Sequence, residues 1–173
     1  MTPYIVTPPA SLPVTMAAMK EHLRVEHNIE DALIDETQLG AVAMLDAWGG
    51  VLGRCIMPQT WAIDVTGPGP HLLPFPDASG VAAEADGGAM AVEVARTGKG
   101  QCVTISEAES GQAVTITATY GLSGERLPAA QALVKLIVGN WYENRQAVVV
   151  GQTPSELPMA ASALISALRW RRI

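Results

Sequence analysis

The stretch from Val114 to Tyr120 constrains the fold more than any other part of the chain. Apolar side chains there alternate with threonines, in the order Val-Thr-Ile-Thr-Ala-Thr-Tyr. Alternation with a period of two places the two kinds of side chain on opposite faces of a β-strand. A strand with one apolar face and one threonine face predicts an antiparallel sheet that is covered on one side only.

Weaker strand patterns precede this one, and turn signals such as Gly98-Lys99-Gly100 separate them. A P-loop would need Ser or Thr after the lysine and a helix beyond it, so we expect this tripeptide to form a hairpin turn. The sequence therefore predicts a β insertion over residues 56–121. Its further strands are expected near residues 61–65, 81–85, 91–95 and 101–106.

Helical patterns lie before the insertion. Thr15 is a suitable N-cap for a helix over residues 16–24. Asn28 can cap a longer helix over residues 29–52, because apolar side chains recur along one face and Gly53 is a suitable stop. We expect Gly49-Gly50 to weaken the last turn of that helix.

Helical patterns also follow the insertion. Pro128 fits the first turn of a helix within residues 127–146, where its missing N–H costs nothing. A final helix is predicted by an apolar stripe made of Leu157, Ala161, Leu164, Ile165 and Leu168.

These patterns predict an α+β chain: a mainly α-helical body of about four helices with an inserted antiparallel β-sheet or hairpin region. We expect an extended N-terminal segment over residues 1–14 and a single domain over residues 15–157. A C-terminal helix and basic tail would occupy residues 158–173. The length of 173 residues suits one domain of this kind.

Charge is unevenly distributed along the chain. Residues 1–127 carry 15 acidic and 6 basic side chains, a net charge of −9, whereas residues 128–173 carry 2 acidic and 5 basic ones, a net charge of +3. This pattern argues against a broad nucleic-acid-binding face and favours a basic tail that docks on an acidic or polar partner. Charged residues make up only 16% of the chain, which fits either subunit contacts or a compact alanine-rich monomer.

Cysteine content and the N-terminus indicate the compartment. Cys55 and Cys102 form no metal-binding or redox motif, so we expect both to be reduced and buried. The N-terminal residues lack the features of a signal peptide, and no apolar run is long enough for a membrane helix. We therefore expect a soluble protein made in a cytoplasm, without membrane contact.

Histidines offer the first candidates for chemistry. His22 and His27 are five residues apart, which does not suit a helical zinc pair, and we expect them to be solvated. His71 and Asp77 could act as a general base and its orienting group. No nucleophile motif accompanies them, so we expect an exposed loop and no enzymatic activity.

Acidic side chains gather near residues 30–36, namely Glu30, Asp31, Asp35 and Glu36. Their spacing does not match a calcium-binding loop, so a solvated helix face is expected. If copies formed a ring, an acidic inner surface would instead repel DNA and let it slide. No motif for a metal or a cofactor is present, and we expect neither.

Trp170 stands between arginines in the ending Arg169-Trp170-Arg171-Arg172. Tryptophan and arginine are enriched among residues that dominate binding energy at protein interfaces. The alternative is that Trp170 folds back onto its own domain, and the residues alone leave the two possibilities open.

A series of short segments follows in a fixed order along most of the chain: Leu12-Pro13-Val14-Thr15, Lys20-Glu21-His22-Leu23-Arg24-Val25, Asp31-Ala32-Leu33-Ile34, Gly53-Arg54, Pro58-Gln59-Thr60-Trp61, Leu73-Pro74-Phe75-Pro76, Asn140-Trp141-Tyr142-Glu143-Asn144-Arg145 followed by Val-Val-Val-Gly, Leu157-Pro158 and the Arg-Trp-Arg ending. In this order they resemble the head-tail connector (adaptor) proteins of tailed bacteriophages and gene transfer agents. Two parts depart from the family pattern, Gly49-Gly50 and the alanine- and glycine-rich residues 78–113.

The resemblance implies a virion protein of the neck, assembled in the host bacterial cytoplasm. Such proteins form a ring, typically a dodecamer, between the portal protein and a stopper or tail-completion protein, and DNA passes through the channel without specific binding. The resemblance implies a portal contact by Leu164, Leu168, Arg169, Trp170, Arg171 and Arg172. Alternatives are another neck or tail-completion protein of the same particle, or a small hydrolase that uses His71 and Asp77.

Overall fold

The computed structural model of the protein describes residues 2–144 and 159–170. Its helices are α1 (Met16–Leu23), α2 (Asp31–Leu45), α3 (Arg126–Glu143) and α4 (Met159–Leu168). Its strands are β1 (Tyr4–Thr7), β2 (Gln59–Thr66), β3 (Gly69–Leu72), β4 (Ala78–Ala85), β5 (Gly88–Met90), β6 (Val92–Thr97), β7 (Gly100–Ile105) and β8 (Ala113–Tyr120). The predicted α+β class, with about four helices and antiparallel strands between them, is confirmed.

The strands form two antiparallel sheets. The first has five strands in the order β1-β2-β8-β4-β5, and the second has three in the order β3-β7-β6. Ile63 on β2 and Ile116 on β8 share one buried cluster with Val103 on β7, so the two sheets pack face to face. The alternation predicted for β8 is confirmed, because its four apolar side chains are buried and its threonines are only partly covered.

The helices build a separate core from both ends of the chain. Met19 of α1, Ile34 of α2, Ile137 of α3 and Ala161 of α4 are all fully buried in one cluster. Thr15 caps α1 as predicted, since its side-chain oxygen accepts a hydrogen bond from the N–H of Ala18. A third cluster around Phe75 lies between the β2–β8 pair and the segment that follows α2.

Helix α2 is shorter than its sequence pattern predicts, at both ends. It begins at Asp31 with Glu30, not Asn28, as its N-cap residue, and it ends at Leu45. Asp46 is extended, and its carboxylate accepts hydrogen bonds from the N–H of Ile56 at 2.6 Å and from Nε2 of Gln59 at 2.7 Å. These hydrogen bonds fix the turn that leads from α2 to β2. The prediction that the helix continues to residue 52 is therefore wrong.

Gly50 is required by the turn that follows α2. A Cβ atom on Gly50 would lie 2.2 Å from the backbone oxygen of Asp46, whereas one on Gly49 would meet nothing within 4 Å. We expect Gly50→Ala to lower the free energy of unfolding by about 1–3 kcal/mol, because the backbone must shift to admit the methyl group. Gly49→Ala is the matched control and should change stability by less than about 0.5 kcal/mol. Equal urea unfolding midpoints for the two variants would contradict this account.

Candidate functional site

The C-terminal residues that the sequence singles out lie partly against the body of the protein. Leu168 is buried in the helical core, and Leu164 is half-buried against it. Arg169 is exposed. Arg171 and Arg172 lie outside the described residues. Helix α4 is thus anchored by its apolar face, and the basic tail begins where that anchor ends.

Trp170 lies against its own domain. Its backbone N–H donates to the carbonyl oxygen of Leu52 at 2.8 Å. Its ring covers Gly100, where a Cβ atom would lie 3.3 Å from Cζ2 of the indole. The side chain remains half-buried. The residue thereby joins the segment after α2 to the β6–β7 hairpin.

Three arginines from different parts of the sequence line one cleft beside Trp170. Arg54 comes from the segment after α2, Arg96 from β6 and Arg126 from the first position of α3. Asp77 is the one carboxylate among the cleft's lining residues, and its Oδ2 accepts from Nη1 of Arg54 at 3.3 Å and from Nη1 of Arg126 at 3.4 Å. We call this site the basic cleft: Arg54, Asp77, Arg96, Arg126 and Trp170.

Arg54 is the most deeply buried charged residue of the basic cleft. Its residue is 6% exposed, and its Nε atom is shielded from solvent without a hydrogen-bond partner among the described residues. Burial lowers the pKa of Arg54, the nearby Asp77 opposes this change, and Arg126 adds to it. A buried guanidinium with an unused donor favours further negative charge nearby.

An aromatic pocket adjoins the basic cleft, and Trp170 lines both. Trp48, Gly53, Pro74 and Phe75 line it together with Trp170. Trp48 is 39% exposed, so an apolar surface is open to solvent at this point. The basic cleft and the aromatic pocket together offer both charged and apolar contacts to another molecule.

The predicted acidic cluster divides into paired and exposed carboxylates. Asp31 forms an ion pair with Lys20 at 2.8 Å, and Glu30 accepts a hydrogen bond from the hydroxyl of Tyr142. Asp35 and Glu36 are exposed, and neither has an ion-pair partner within residues 2–144 and 159–170. The large apolar side chains Ile29, just before α2, and Leu39, one turn after Asp35, are 88% and 51% exposed. We call these four residues, Ile29, Asp35, Glu36 and Leu39, the acidic surface.

His71 and Asp77 make separate contacts, and His71 is half-buried on β3, so the prediction of an exposed loop is wrong for His71. The ring Nε2 of His71 lies 3.1 Å from the carbonyl oxygen of Gly67, while the carboxylate of Asp77 is held by two arginines. His22 is exposed on α1, and His27 is exposed with its Nε2 3.9 Å from Glu30. The predicted hairpin turn is confirmed, since Thr97 pairs with Gly100 across residues 98–99.

The cysteines are both free, but only Cys55 is buried as predicted, whereas Cys102 is half-buried. Burial raises the pKa of the Cys55 thiol, with a further contribution from Asp46, so this thiol is a poor nucleophile. Within the described part of the chain, no group of three His, Cys, Asp or Glu side chains could hold a metal ion. No helix there is long and apolar enough to cross a membrane.

The basic cleft was not predicted from the sequence. Its charged members are separated by up to 72 positions, from Arg54 to Arg126, and only the folded chain brings them together. One signal was present in the apolar run Val51-Leu52-Gly53-Arg54-Cys55-Ile56, where a single arginine stands among buried residue types. A lone charge in such a run indicates a buried ion pair.

The similarity of this chain to known proteins lies in its fold. No protein-family model matches the chain, and no curated protein matches it. The fold is similar to that of a chain in the neck of an empty gene transfer agent particle determined with C6 symmetry, with a TM-score of 0.72 and 20% identity over 100% of this chain and 97% of that one. It is also similar to a chain in the virion of a native gene transfer agent particle, with a TM-score of 0.70 and 19% identity over 100% of this chain and 97% of that one.

Proposed function

We propose that the protein is a structural head-tail connector, or adaptor, of a tailed phage or gene transfer agent. The observation that carries the proposal is the similarity of the whole chain, helices and sheets together, to a neck chain of a gene transfer agent particle. The order of sequence segments that resembles the adaptor family supports the same role independently. The protein would act through its surfaces and not as an enzyme.

In this role, copies of the chain form a ring at the capsid vertex. The C6 symmetry of the neck that contains the similar chain is compatible with twelve subunits, because a twelvefold ring contains a sixfold axis. The ring would lie between the portal protein and a stopper or tail-completion protein, in the neck of a virion assembled in the host cytoplasm. The net charge of −6 suits a channel that DNA passes without specific binding.

The portal contact would be made at the C-terminal end. Arg169 is exposed directly after α4, and Trp170, Arg171 and Arg172 continue the same basic tail. Leu168 and Leu164 pack on the helical core and would hold α4 in position for the tail to dock. Arginine and tryptophan are enriched among the residues that contribute most to binding energy, so a short segment that contains both suits a protein interface.

Charge reversal of the tail tests the proposed portal contact. We expect the variant Arg169→Glu, Arg171→Glu and Arg172→Glu to lose at least about tenfold in affinity for portal-bearing capsids, because it reverses the charge offered to the partner. Cosedimentation with tailless capsids measures this. Deleting α4 would be a poorer test, since it also exposes the core around Ala161 and Leu168.

The matched control carries lysine at the same three positions, which keeps the charge and the fold. Docking that is equally strong in the glutamate variant would refute the tail assignment. Electron microscopy of the assembled particle separates the adaptor from the alternative, another neck or tail-completion protein, by the position of the ring relative to the portal.

A further inference from the structure

The basic cleft contains more positive charge than its own carboxylate can balance. Three guanidinium groups line it against the single carboxylate of Asp77. Arg54 is more than nine-tenths buried there, and its Nε–H has no acceptor among the described residues. Arg96 is exposed at the rim, and no carboxylate pairs with it in the described part of the chain. The cleft is therefore suited to bind a carboxylate supplied from outside.

The composition of the chain indicates where that carboxylate comes from. Residues 1–127 contain six basic side chains, and three of them, Arg54, Arg96 and Arg126, converge in this cleft. The same residues carry 15 acidic side chains, so this part of the chain is acidic overall. A net acidic charge disfavours a nucleic acid as the partner and leaves the cleft complementary to the acidic parts of a second copy of this chain.

The acidic surface is the best match for the cleft. Asp35 and Glu36 are adjacent, exposed and without ion-pair partners in the described residues. The exposed Leu39 follows one turn later on α2, and the exposed Ile29 lies just before the helix begins. Large exposed apolar side chains next to unpaired charges indicate a contact surface. The aromatic pocket lies beside the basic cleft and offers an apolar counterpart, lined by Trp48, Pro74 and Phe75.

The two surfaces lie at opposite ends of α3. Arg126 opens α3 at the basic cleft, while Tyr142 near its other end bonds Glu30 at the start of α2. Arg126 and Tyr142 are separated along the helix axis by about 24 Å, at a rise of about 1.5 Å per residue. Complementary surfaces at opposite ends of a subunit produce head-to-tail association, and head-to-tail contacts close into rings when their rotation permits.

We propose that the basic cleft of one copy binds the acidic surface of a second copy, in a head-to-tail contact with Asp35 and Glu36 as the carboxylates received. This contact rests on the proposed ring and assigns residues to the subunit interface. Trp170 lines the cleft and also belongs to the proposed portal tail, whereas the basic residues of this contact, Arg54, Arg96 and Arg126, lie outside that tail.

Mixing two complementary variants tests the contact. Arg96→Glu damages the cleft but keeps the acidic surface, and Asp35→Asn with Glu36→Gln does the reverse without creating a positive surface that could pair with the new glutamate. By sedimentation equilibrium at low salt, we expect the wild type to associate beyond the dimer and each variant alone to associate at least about tenfold more weakly. An equimolar mixture of the two variants should form a dimer and nothing larger, because only one complementary pair of surfaces remains intact.

Matched controls make the same kind of charge change at positions outside the two proposed surfaces. Lys99→Glu lies in the hairpin turn outside the cleft, and Glu109→Gln lies in the segment between β7 and β8. Both should associate as the wild type does. Arg126→Gln is a second variant of the cleft, without a reversed charge beside Asp77, and it should weaken association in the same direction as Arg96→Glu.

Several outcomes would overturn the contact. The proposal fails if the wild type stays monomeric at millimolar concentration or if the mixture does not dimerise. It also fails if Lys99→Glu associates as weakly as Arg96→Glu. Binding of a duplex oligonucleotide that Arg96→Glu abolishes would identify phosphate as the ligand and would also overturn it. If the mixture fails while tail reversal still blocks capsid docking, the connector function stands and only this interface falls.

Discussion

Phe75→Ala should lower the free energy of unfolding by about 3–5 kcal/mol, a cost typical of a large aromatic side chain removed from a core. Phe75 is 1% exposed, and its ring centroid lies 5.1 Å from that of Tyr120, 5.2 Å from that of Trp61 and 6.2 Å from that of Trp48. All three contacts are edge-to-face, which adds to the burial of apolar area. The substitution leaves a cavity that these rigid neighbours cannot fill.

Urea unfolding followed by tryptophan fluorescence measures this effect, because two of the three neighbouring rings are tryptophans. Phe75→Leu is the matched control, since it retains most of the apolar volume and should cost less than half as much. A Phe75→Ala protein as stable as the leucine variant would show that the cluster around residue 75 contributes little to the core.

Asp46→Ala should lower the free energy of unfolding by about 2–4 kcal/mol, because it leaves buried donors without acceptors. The carboxylate of Asp46 accepts from the N–H of Ile56 at 2.6 Å and from Nε2 of Gln59 at 2.7 Å. Gln59 is itself only 3% exposed, so solvent cannot replace the lost acceptor. Its Oε1 already accepts from the indole N–H of Trp61 at 3.0 Å, so the amide cannot simply reverse. Thermal and urea unfolding of the variant check the loss.

The same carboxylate should make stability depend on pH. Burial raises the pKa of Asp46, partly offset by its hydrogen bonds from Gln59, Ile56 and Ala47. The folded state therefore keeps this proton to a higher pH than the unfolded chain does, and stability falls as pH rises from about 4 through the raised pKa. Asp46→Asn has no proton to lose, so the difference in unfolding free energy between wild type and Asp46→Asn should change over that window. A difference that is constant with pH would contradict the assignment.

Local patterns predicted the regular elements of this fold well. The alternation from Val114 to Tyr120 depends only on which face of a strand is buried, and that face is buried in the structure. Thr15 caps α1 through its own side chain, a contact that needs no distant partner. The extended residues near the N-terminus became β1, but pairing with β2 across more than fifty positions could not be seen in the local sequence.

The prediction for α2 failed for a physical reason that is visible in Leu52. This residue keeps the helical spacing of the apolar face and is fully buried, but it lies in a turn. The decisive contacts are those of Asp46 with Ile56 and Gln59, which depend on side chains ten and thirteen positions away. Burial and periodicity were predictable here, whereas the end of the helix was set by tertiary hydrogen bonds.

The candidate site was likewise predictable from the sequence only in part. The sequence indicated the basic tail, because Arg169 and Trp170 stand next to each other in the chain. It did not indicate the basic cleft, because Arg54, Arg96 and Arg126 are single residues in unrelated segments. Their convergence in one cleft depends on contacts between distant parts of the chain, which no short motif encodes.

The helical core also determines when the protein can fold during synthesis. Met19, Ile34 and Leu45 come from the first third of the chain, and they are covered by Leu133, Ile137 and other residues of the last third. After residues 1–100 have been synthesised, α1 and α2 therefore still lack their partners, and their apolar faces remain open until α3 has been made. Contacts so distant in sequence slow folding and expose nascent chains to aggregation, so expression of this protein should benefit from added chaperone capacity.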